Sequence, residues 1–118
     1  MSKTLTVLAA AVLAATCGGR ADVEPAKTAL DTPVYVDVRT PKEFAEGHVR
    51  GAVNIAHDQM DMRFVELEQY RNQRIILYCR SGRRSDSALA VLKSKGFTRV
   101  ENGGGFDGLV AAGLPVAH

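Results

Sequence analysis

The sequence predicts an α/β fold built on a parallel sheet that helices cover on both faces. Short runs rich in β-branched and aromatic residues alternate with helix-like segments, which is the pattern of strands joined by crossover helices. The 118 residues suffice for one domain, and its core should be modest because only 6% of the residues are aromatic and none is Trp. We therefore expect a single α/β domain.

The first 21 residues differ in kind from the rest of the chain. Lys3 precedes an uncharged apolar run at residues 5–15, and small residues follow, which is typical of a secretory signal peptide. The run is too short to span a bilayer of about 30 Å, so no transmembrane segment is predicted. We expect residues 1–21 to be a signal peptide cleaved after Ala21 during export. The alternative is a lipoprotein anchored through Cys17.

The charge balance argues against nucleic acid as a partner. Removing residues 1–21 removes Lys3 and Arg20 and leaves 13 basic and 13 acidic side chains, so the mature domain has no net charge. A neutral domain without a basic stripe is not expected to bind nucleic acid. Cleavage also leaves Cys79 as a single cysteine, which is either inert and buried or reactive. Nothing in the sequence demands a partner chain, and we expect a monomer.

The predicted elements follow in chain order. Residues 22–33 are polar and are interpreted as a leader, and residues 34–38 form the first predicted strand. A helix is predicted at 41–46, where Thr40 is the N-cap, a proline follows it, and Glu43 completes a capping box. The remaining predictions are a strand at 51–55, a helix at 58–71, a strand at 74–78, a helix at 85–95, a strand at 97–101, a glycine turn at 103–105 and a helix at 106–112.

A cysteine at the end of a strand is the candidate nucleophile. Cys79 closes an apolar run and precedes a loop that carries Gly82 and three arginines. Open α/β sheets bind ligands at the carboxyl ends of their strands, where loop amides and the start of the next helix carry partial positive charge. Such surroundings lower the pKa of a thiol and favour the nucleophilic thiolate. We interpret this stretch as a catalytic cysteine in an anion-binding cradle.

The length of this loop distinguishes two chemistries. Cys79 and Arg84 form a Cys-x4-Arg pattern, one residue shorter than the Cys-x5-Arg loop with which cysteine phosphatases encircle a phosphoryl group. The shorter loop suits the terminal sulfur of a cysteine persulfide better, and the small residues Ser81 and Gly82 let its backbone turn inward. A cysteine-based phosphatase or arsenate reductase is therefore the less favoured alternative.

Three motifs, in order, resemble the rhodanese (thiosulfate sulfurtransferase) family. The active loop of that family resembles residues 79–85, its N-terminal signature resembles residues 37–44 with 47–55, and its C-terminal signature resembles residues 104–116. The three motifs span roughly residues 34–116, which we take as a single rhodanese domain. The short length and the signal peptide are most similar to periplasmic single-domain rhodaneses of the phage-shock type.

The resemblance implies a fold and a reaction. The implied fold has three layers, with a central, mostly parallel sheet of four or five short strands and helices on both faces. In the implied reaction Cys79 takes the outer sulfur of thiosulfate as a persulfide and passes it to cyanide or a thiol, without a metal or an organic cofactor. The loop residues would bind the persulfide and the anionic donor, and the last of them would order the loop: Arg80, Ser81, Gly82, Arg83 and Arg84.

Two questions stay open at the level of sequence. Asp37 and Arg39 lie at the carboxyl end of the first strand, on the same sheet edge as Cys79, and are either part of the active site or a buried structural ion pair. His48 is interpreted as structural, since a thiolate needs no general base, and the histidines lack the spacing of metal ligands. A non-enzymatic carrier that holds the persulfide without turnover would use the same residues.

Overall fold

The computed structural model describes residues 32–118, so the predicted signal peptide, Cys17 and most of the leader lie outside the described residues. The central sheet consists of four parallel strands: β1 (Val34–Asp37), β3 (Val53–Asn54), β4 (Ile75–Cys79) and β5 (Val100–Gly105). Their spatial order is β3-β1-β4-β5, which makes β1 and β4 the inner strands. A small antiparallel sheet pairs β2 (His48–Val49) with β6 (Val116–Ala117).

Helices connect these strands. The α-helices are α1 (Pro41–Glu46), α2 (Met60–Arg63), α3 (Arg83–Ser94) and α4 (Phe106–Ala111), and 3-10 helices span His57–Gln59 and Phe64–Tyr70. The predicted α/β class with a mostly parallel sheet is confirmed. Within residues 32–118, no helix has the length and apolar character needed to cross a membrane.

The start of α1 follows from local chemistry. Thr40 Oγ1 accepts the backbone N–H of Glu43 at 3.2 Å, and Glu43 Oε1 accepts the backbone N–H of Thr40 at 3.1 Å. This is the reciprocal capping box that the sequence predicts, and it satisfies two backbone donors that the helix itself leaves unpaired. Pro41 occupies the first helical position, where its missing N–H has no cost.

The single helix predicted at 58–71 is wrong in detail. The segment is a 3-10 helix, one α-helical turn and a second 3-10 helix. Met62 and Val65, which contributed to the apolar pattern, are exposed, so that pattern was not one face of one helix. In a 3-10 helix residues three positions apart eclipse each other, and ion pairs with this spacing join Arg63 to Glu66 at 2.8 Å and Glu68 to Arg71 at 2.7 Å.

The strand predicted at 97–101 exists but begins three residues later, and the glycine turn predicted at 103–105 is wrong. β5 begins at Val100 and includes the three glycines, while Phe97 is buried but precedes the strand. Between Leu77 and Cys79 of β4 the register shifts, so that two steps along β4 match three along β5, which is a bulge. A Cβ atom on Gly103 would collide with the side chain of Ile76, so glycine is required there for close approach.

The core lies around β4, in which every residue is buried. Its apolar cluster combines residues from β1, β4, β5, α2, α3 and the segments between them: Val36, Val38, Ile55, Met60, Leu67, Ile75, Leu77, Ala88, Leu92, Phe97 and Val100. The sheet of β2 and β6 is absent from the sequence-based prediction, because strands of two residues have no periodicity to detect. The inner strands therefore carry Cys79 and Asp37 to the carboxyl end of the central sheet.

Candidate active site

Cys79 is the last residue of β4 and faces the start of α3 across a short loop. Gly82 caps α3 with a φ of +92°, in the left-handed region that glycine adopts without strain. In this conformation its N–H donates to Cys79 Sγ at 2.8 Å. The loop therefore turns inward at Gly82 and directs a backbone donor at the sulfur.

The surroundings of this thiol favour its ionised form. Burial alone raises the pKa of Cys79, but neighbouring donors outweigh burial and hold the pKa below its ordinary value. The groups that lower this pKa are the nearby Ser85 hydroxyl and the backbone N–H groups of Ser85, Ser81 and Gly82. The N–H groups of a first helical turn lack partners inside the helix and carry partial positive charge, so they stabilise an anionic sulfur. The direction is the one expected from the sequence.

The sulfur of Cys79 is sealed from solvent in this conformation. Cys79 has 0% of its surface exposed to solvent. The loop packs tightly on the end of β5: a Cβ atom on Gly105 would collide with the carbonyl oxygen of Arg80, and one on Gly82 would lie 3.4 Å from Gly104 Cα. Because the sulfur is not exposed, a donor molecule reaches Cys79 only if the surrounding residues move.

Asn102, which the sequence reasoning did not single out, holds the loop against β5. Its Nδ2 donates to the carbonyl oxygen of Gly82 at 2.8 Å and to Asp86 Oδ1 at 2.7 Å. Its Oδ1 accepts the backbone N–H of Gly104 at 2.7 Å. One side chain thus links the loop, the first turns of α3 and the bulge of β5. The sequence could have indicated Asn102, because it is a polar residue near the carboxyl end of a predicted parallel strand.

Two of the loop arginines are paired with Glu43 of α1. Arg84 Nη1 donates to Glu43 Oε1 at 2.9 Å and Arg84 Nη2 to Oε2 at 3.3 Å, and Arg80 Nε approaches Oε2 at 3.4 Å. The hydrogen bond from Arg84 is the main reason why the pKa of Glu43 falls to about 2. Glu43 therefore acts as a capping residue and also ties the loop to α1.

Arg83 differs from these two arginines. It is exposed and has no carboxylate partner among residues 32–118. It lies at a cavity of about 540 Å³ that borders the loop and is lined by Ser81, Gly82, Arg83, Asp86, Asn102 and Gly104. Of the three loop arginines, Arg83 is therefore the one whose charge is available to an incoming anion.

Asp37 and Arg39 form a buried ion pair. Arg39 Nη2 lies 2.6 Å from Asp37 Oδ2, and the same nitrogen donates to the carbonyl oxygen of Gly47 at 2.7 Å. The guanidinium stacks over Phe106 at 4.5 Å from the ring centroid. Arg39 also lines a small cavity of about 60 Å³ together with Arg80, Phe106 and Asp107. These contacts give the pair a structural role, and Arg39 also borders the active loop at Arg80.

His48 packs against α1. Its Nδ1–H donates to the carbonyl oxygen of Phe44 at 2.7 Å, and its ring stacks on Phe44 with the centroids 3.6 Å apart. These contacts anchor β2 to α1. In the part of the chain that the structure describes, no three His, Cys, Asp or Glu side chains are grouped to hold a metal ion.

Comparison with known proteins places this geometry in a family. The Rhodanese-like domain family matches residues 22–112. Thiosulfate sulfurtransferase PspE of Escherichia coli (strain K12) is 37% identical over 71 residues, which cover 60% of this chain and 68% of that protein. The putative sulfur carrier protein YrkF of Bacillus subtilis (strain 168) is 37% identical over 67 residues, which cover 57% of this chain and 35% of that protein.

A solved structure described as a rhodanese with anions from E. coli has the same fold. It superposes with a TM-score of 0.65 at 32% identity, covering 72% of this chain and 96% of that one. The family match spans more than half of the chain and includes the strand, the loop and the helix that surround Cys79. The chain belongs to the rhodanese-like domain family.

Proposed function

We propose that this protein is a sulfurtransferase that moves sulfane sulfur from thiosulfate to cyanide or a thiol through a persulfide on Cys79. One observation carries the proposal: the N–H of Gly82 donates to Cys79 Sγ at 2.8 Å from a six-residue loop that opens a helix. The sulfurtransferase named among the relatives supports the same chemistry. Cys79 is the nucleophile, and Arg80, Ser81, Gly82, Arg83 and Arg84 form the loop that binds donor and persulfide.

Two displacements at sulfur make up the cycle. The Cys79 thiolate attacks the outer sulfur of thiosulfate, an S–S bond forms to Sγ, and sulfite leaves with the electron pair of the old S–S bond. Cyanide or a thiolate then attacks the outer sulfur of the persulfide, and the Cys79 thiolate leaves with the electron pair. The products are thiocyanate or a new persulfide, and no electron is gained or lost overall.

The charges around the loop support an anionic donor. The hydrogen bonds of Arg84 and the weaker approach of Arg80 are directed at Glu43, and both arginines hold the loop to α1. Arg83 lies on the neighbouring cavity, which is large enough for thiosulfate. Thiosulfate therefore meets Arg83 first, and the loop then parts from the end of β5 to admit the outer sulfur to Cys79.

Single replacement of each cysteine tests the proposal. The protein is incubated with thiosulfate and cyanide, and thiocyanate is measured for wild type, Cys79→Ser and Cys17→Ser. We expect Cys79→Ser to form thiocyanate no faster than buffer without protein, because serine cannot form a persulfide. Cys17→Ser should form thiocyanate at the rate of the wild type. Absence of thiocyanate from the wild type, or equal formation by Cys79→Ser, rejects the proposal.

A persulfide carrier without turnover is the second candidate. The sealed position of Cys79 favours it, because a buried persulfide is protected from solvent thiols, and YrkF is named as a putative carrier. Mass spectrometry separates the two after treatment with thiosulfate alone. A carrier gains one sulfur on Cys79 and keeps it when cyanide is added, whereas the enzyme loses it as thiocyanate.

A further inference from the structure

The Ser85 hydroxyl is a buried polar group that the proposed cycle has not used. Ser85 is fully buried, and its Oγ has no hydrogen-bond partner among residues 32–118. A buried hydroxyl without a partner costs about 1–3 kcal/mol. Because such groups are rare in folded proteins, each one requires a physical reason.

The position of Ser85 supplies that reason. It is the third residue of α3, and both its hydroxyl and its backbone N–H lie beside Cys79 Sγ. A neutral thiol is a weak acceptor, so it leaves this hydroxyl nearly unpaired, while a thiolate is a strong one. The orphaned donor therefore faces an atom that becomes a good acceptor only on ionisation.

We propose that the Ser85 hydroxyl donates a hydrogen bond to the Cys79 sulfur whenever that sulfur is negatively charged, and thereby stabilises it as nucleophile and as leaving group. For the transfer steps this inference rests on the proposed function. In the first step the bond stabilises the attacking thiolate. In the second step the electron pair of the breaking S–S bond returns to Sγ, and the hydroxyl donates to the charge that forms there without losing its own proton.

Other groups also act on this sulfur. Arg84 of α3 faces both Cys79 and Glu43 of α1, and most of its charge is matched by that carboxylate. Asp86 lies further along α3 and is bound to Asn102, and the buried pair of Asp37 and Arg39 on β1 is internally neutral. None of these groups changes in a Ser85 variant, so the effect of the hydroxyl can be measured alone.

The test is the ionisation of Cys79 in Ser85→Ala. The ultraviolet absorbance of the thiolate is measured against pH in the full chain, for wild type and for Ser85→Ala. The same titration of each protein with Cys79→Ser added is subtracted, which removes the signal of Cys17. We expect the midpoint to rise by about one pH unit, since hydrogen bonds to charged groups are the strong ones. The rate of thiocyanate formation falls as the pH is lowered, and the midpoint of that fall should rise by the same amount.

Two further measurements distinguish this role from a structural one. Ser87→Ala changes an exposed serine of the same helix and should leave the midpoint unchanged. At a pH where Cys79 is a neutral thiol, Ser85→Ala should be as stable as wild type or more stable, because it removes an unpaired buried hydroxyl. An unchanged midpoint, or a loss of stability of the thiol form, overturns the inference. If thiocyanate never forms, the proposed function fails but the titration still decides the role of Ser85.

Discussion

Glu43 combines two roles in one side chain. Its carboxylate completes the capping box with Thr40 and also binds the guanidinium of Arg84, which lies 41 residues away in the sequence. The pKa of Glu43 is about 2 in the folded protein against an ordinary value of 4.5, chiefly because of the hydrogen bond from Arg84. A carboxylate with a lowered pKa stabilises the fold above its ordinary pKa, and this contribution is lost as the pH falls toward about 2.

Glu43→Gln tests this ion pair without removing the cap, since Gln can also complete a capping box. We expect a loss of roughly 1–2 kcal/mol of unfolding free energy near neutral pH, because the pair is partly shielded from solvent. The difference between wild type and variant should shrink between about pH 4.5 and pH 2, where Glu43 becomes protonated. Urea unfolding at several pH values measures both quantities.

The control for this prediction lies on the same helix. Glu46 is exposed, and its carboxylate lies 4.0 Å from Lys42 Nζ, which is long for an ion pair. Glu46→Gln should therefore change the unfolding free energy by no more than about 0.5 kcal/mol at any pH. If Glu43→Gln remains less stable than wild type by the same unfolding free energy down to about pH 2, the charge of Glu43 is not the source of stability.

At the scale of elements, the glycine-rich end of β5 determines how the loop lies. The backbone of Gly105 is extended, with φ −103° and ψ 153°, so any residue could adopt its conformation. What excludes a side chain is space, because a Cβ atom would collide with the carbonyl oxygen of Arg80. Glycine at this position lets the backbone of β5 lie directly against the loop that follows Cys79.

Gly105→Ala should displace the loop. We expect a loss of roughly 1–3 kcal/mol of unfolding free energy, since overpacking against a backbone atom requires the backbone to shift. Cys79 should also react faster with a small alkylating reagent than it does in the wild type, because displacement opens the sealed sulfur. Denaturant unfolding and the rate of alkylation at fixed pH measure the two effects.

Gly108→Ala is the matched control. Gly108 lies in α4 with open space around the position of a Cβ atom. Alanine is favoured over glycine inside a helix by about 1 kcal/mol, so this variant should equal or exceed the stability of the wild type. Equal stability of the two alanine variants would mean that close packing at Gly105 is not required.

At the scale of the whole molecule, Tyr78 couples the two sheets. It is fully buried in β4, next to Cys79, and its hydroxyl accepts the backbone N–H of Val49 in β2 at 3.0 Å. The N–H of the next residue, Arg50, donates to the carbonyl oxygen of Pro115 at 2.9 Å. The small sheet therefore depends on a side chain of the central sheet for a backbone hydrogen bond.

Tyr78→Phe should leave the buried N–H of Val49 without an acceptor. We expect a loss of about 1–3 kcal/mol of unfolding free energy, the cost of an unpaired buried donor. Tyr35→Phe is the control, since the Tyr35 hydroxyl has no hydrogen-bond partner in the described region 32–118 and its loss should cost about 0.5 kcal/mol or less. If both variants unfold at the same denaturant concentration, the coupling between the sheets contributes nothing.

Local chemistry explains the features that the sequence predicts correctly. The capping box at Thr40 and the glycine at the start of α3 act over one turn of chain, and each is readable from adjacent residues. The apolar runs at β1 and β4 predict buried strands, because burial on both faces needs continuous apolar residues. The same short-range reasoning fails for the segment 57–70, where exposed apolar residues imitate the pattern of a helix.

The sequence alone determined the α/β class, the family and the position of Cys79 at a strand end beside a helix start. Only the tertiary structure decided that this thiol is sealed, that Glu43 holds Arg84, and that Asn102 clamps the loop to β5. Such contacts join residues 20 to 41 positions apart, as Asn102 with Gly82 and Glu43 with Arg84. They depend on the order and register of the strands, which no local pattern of residues encodes.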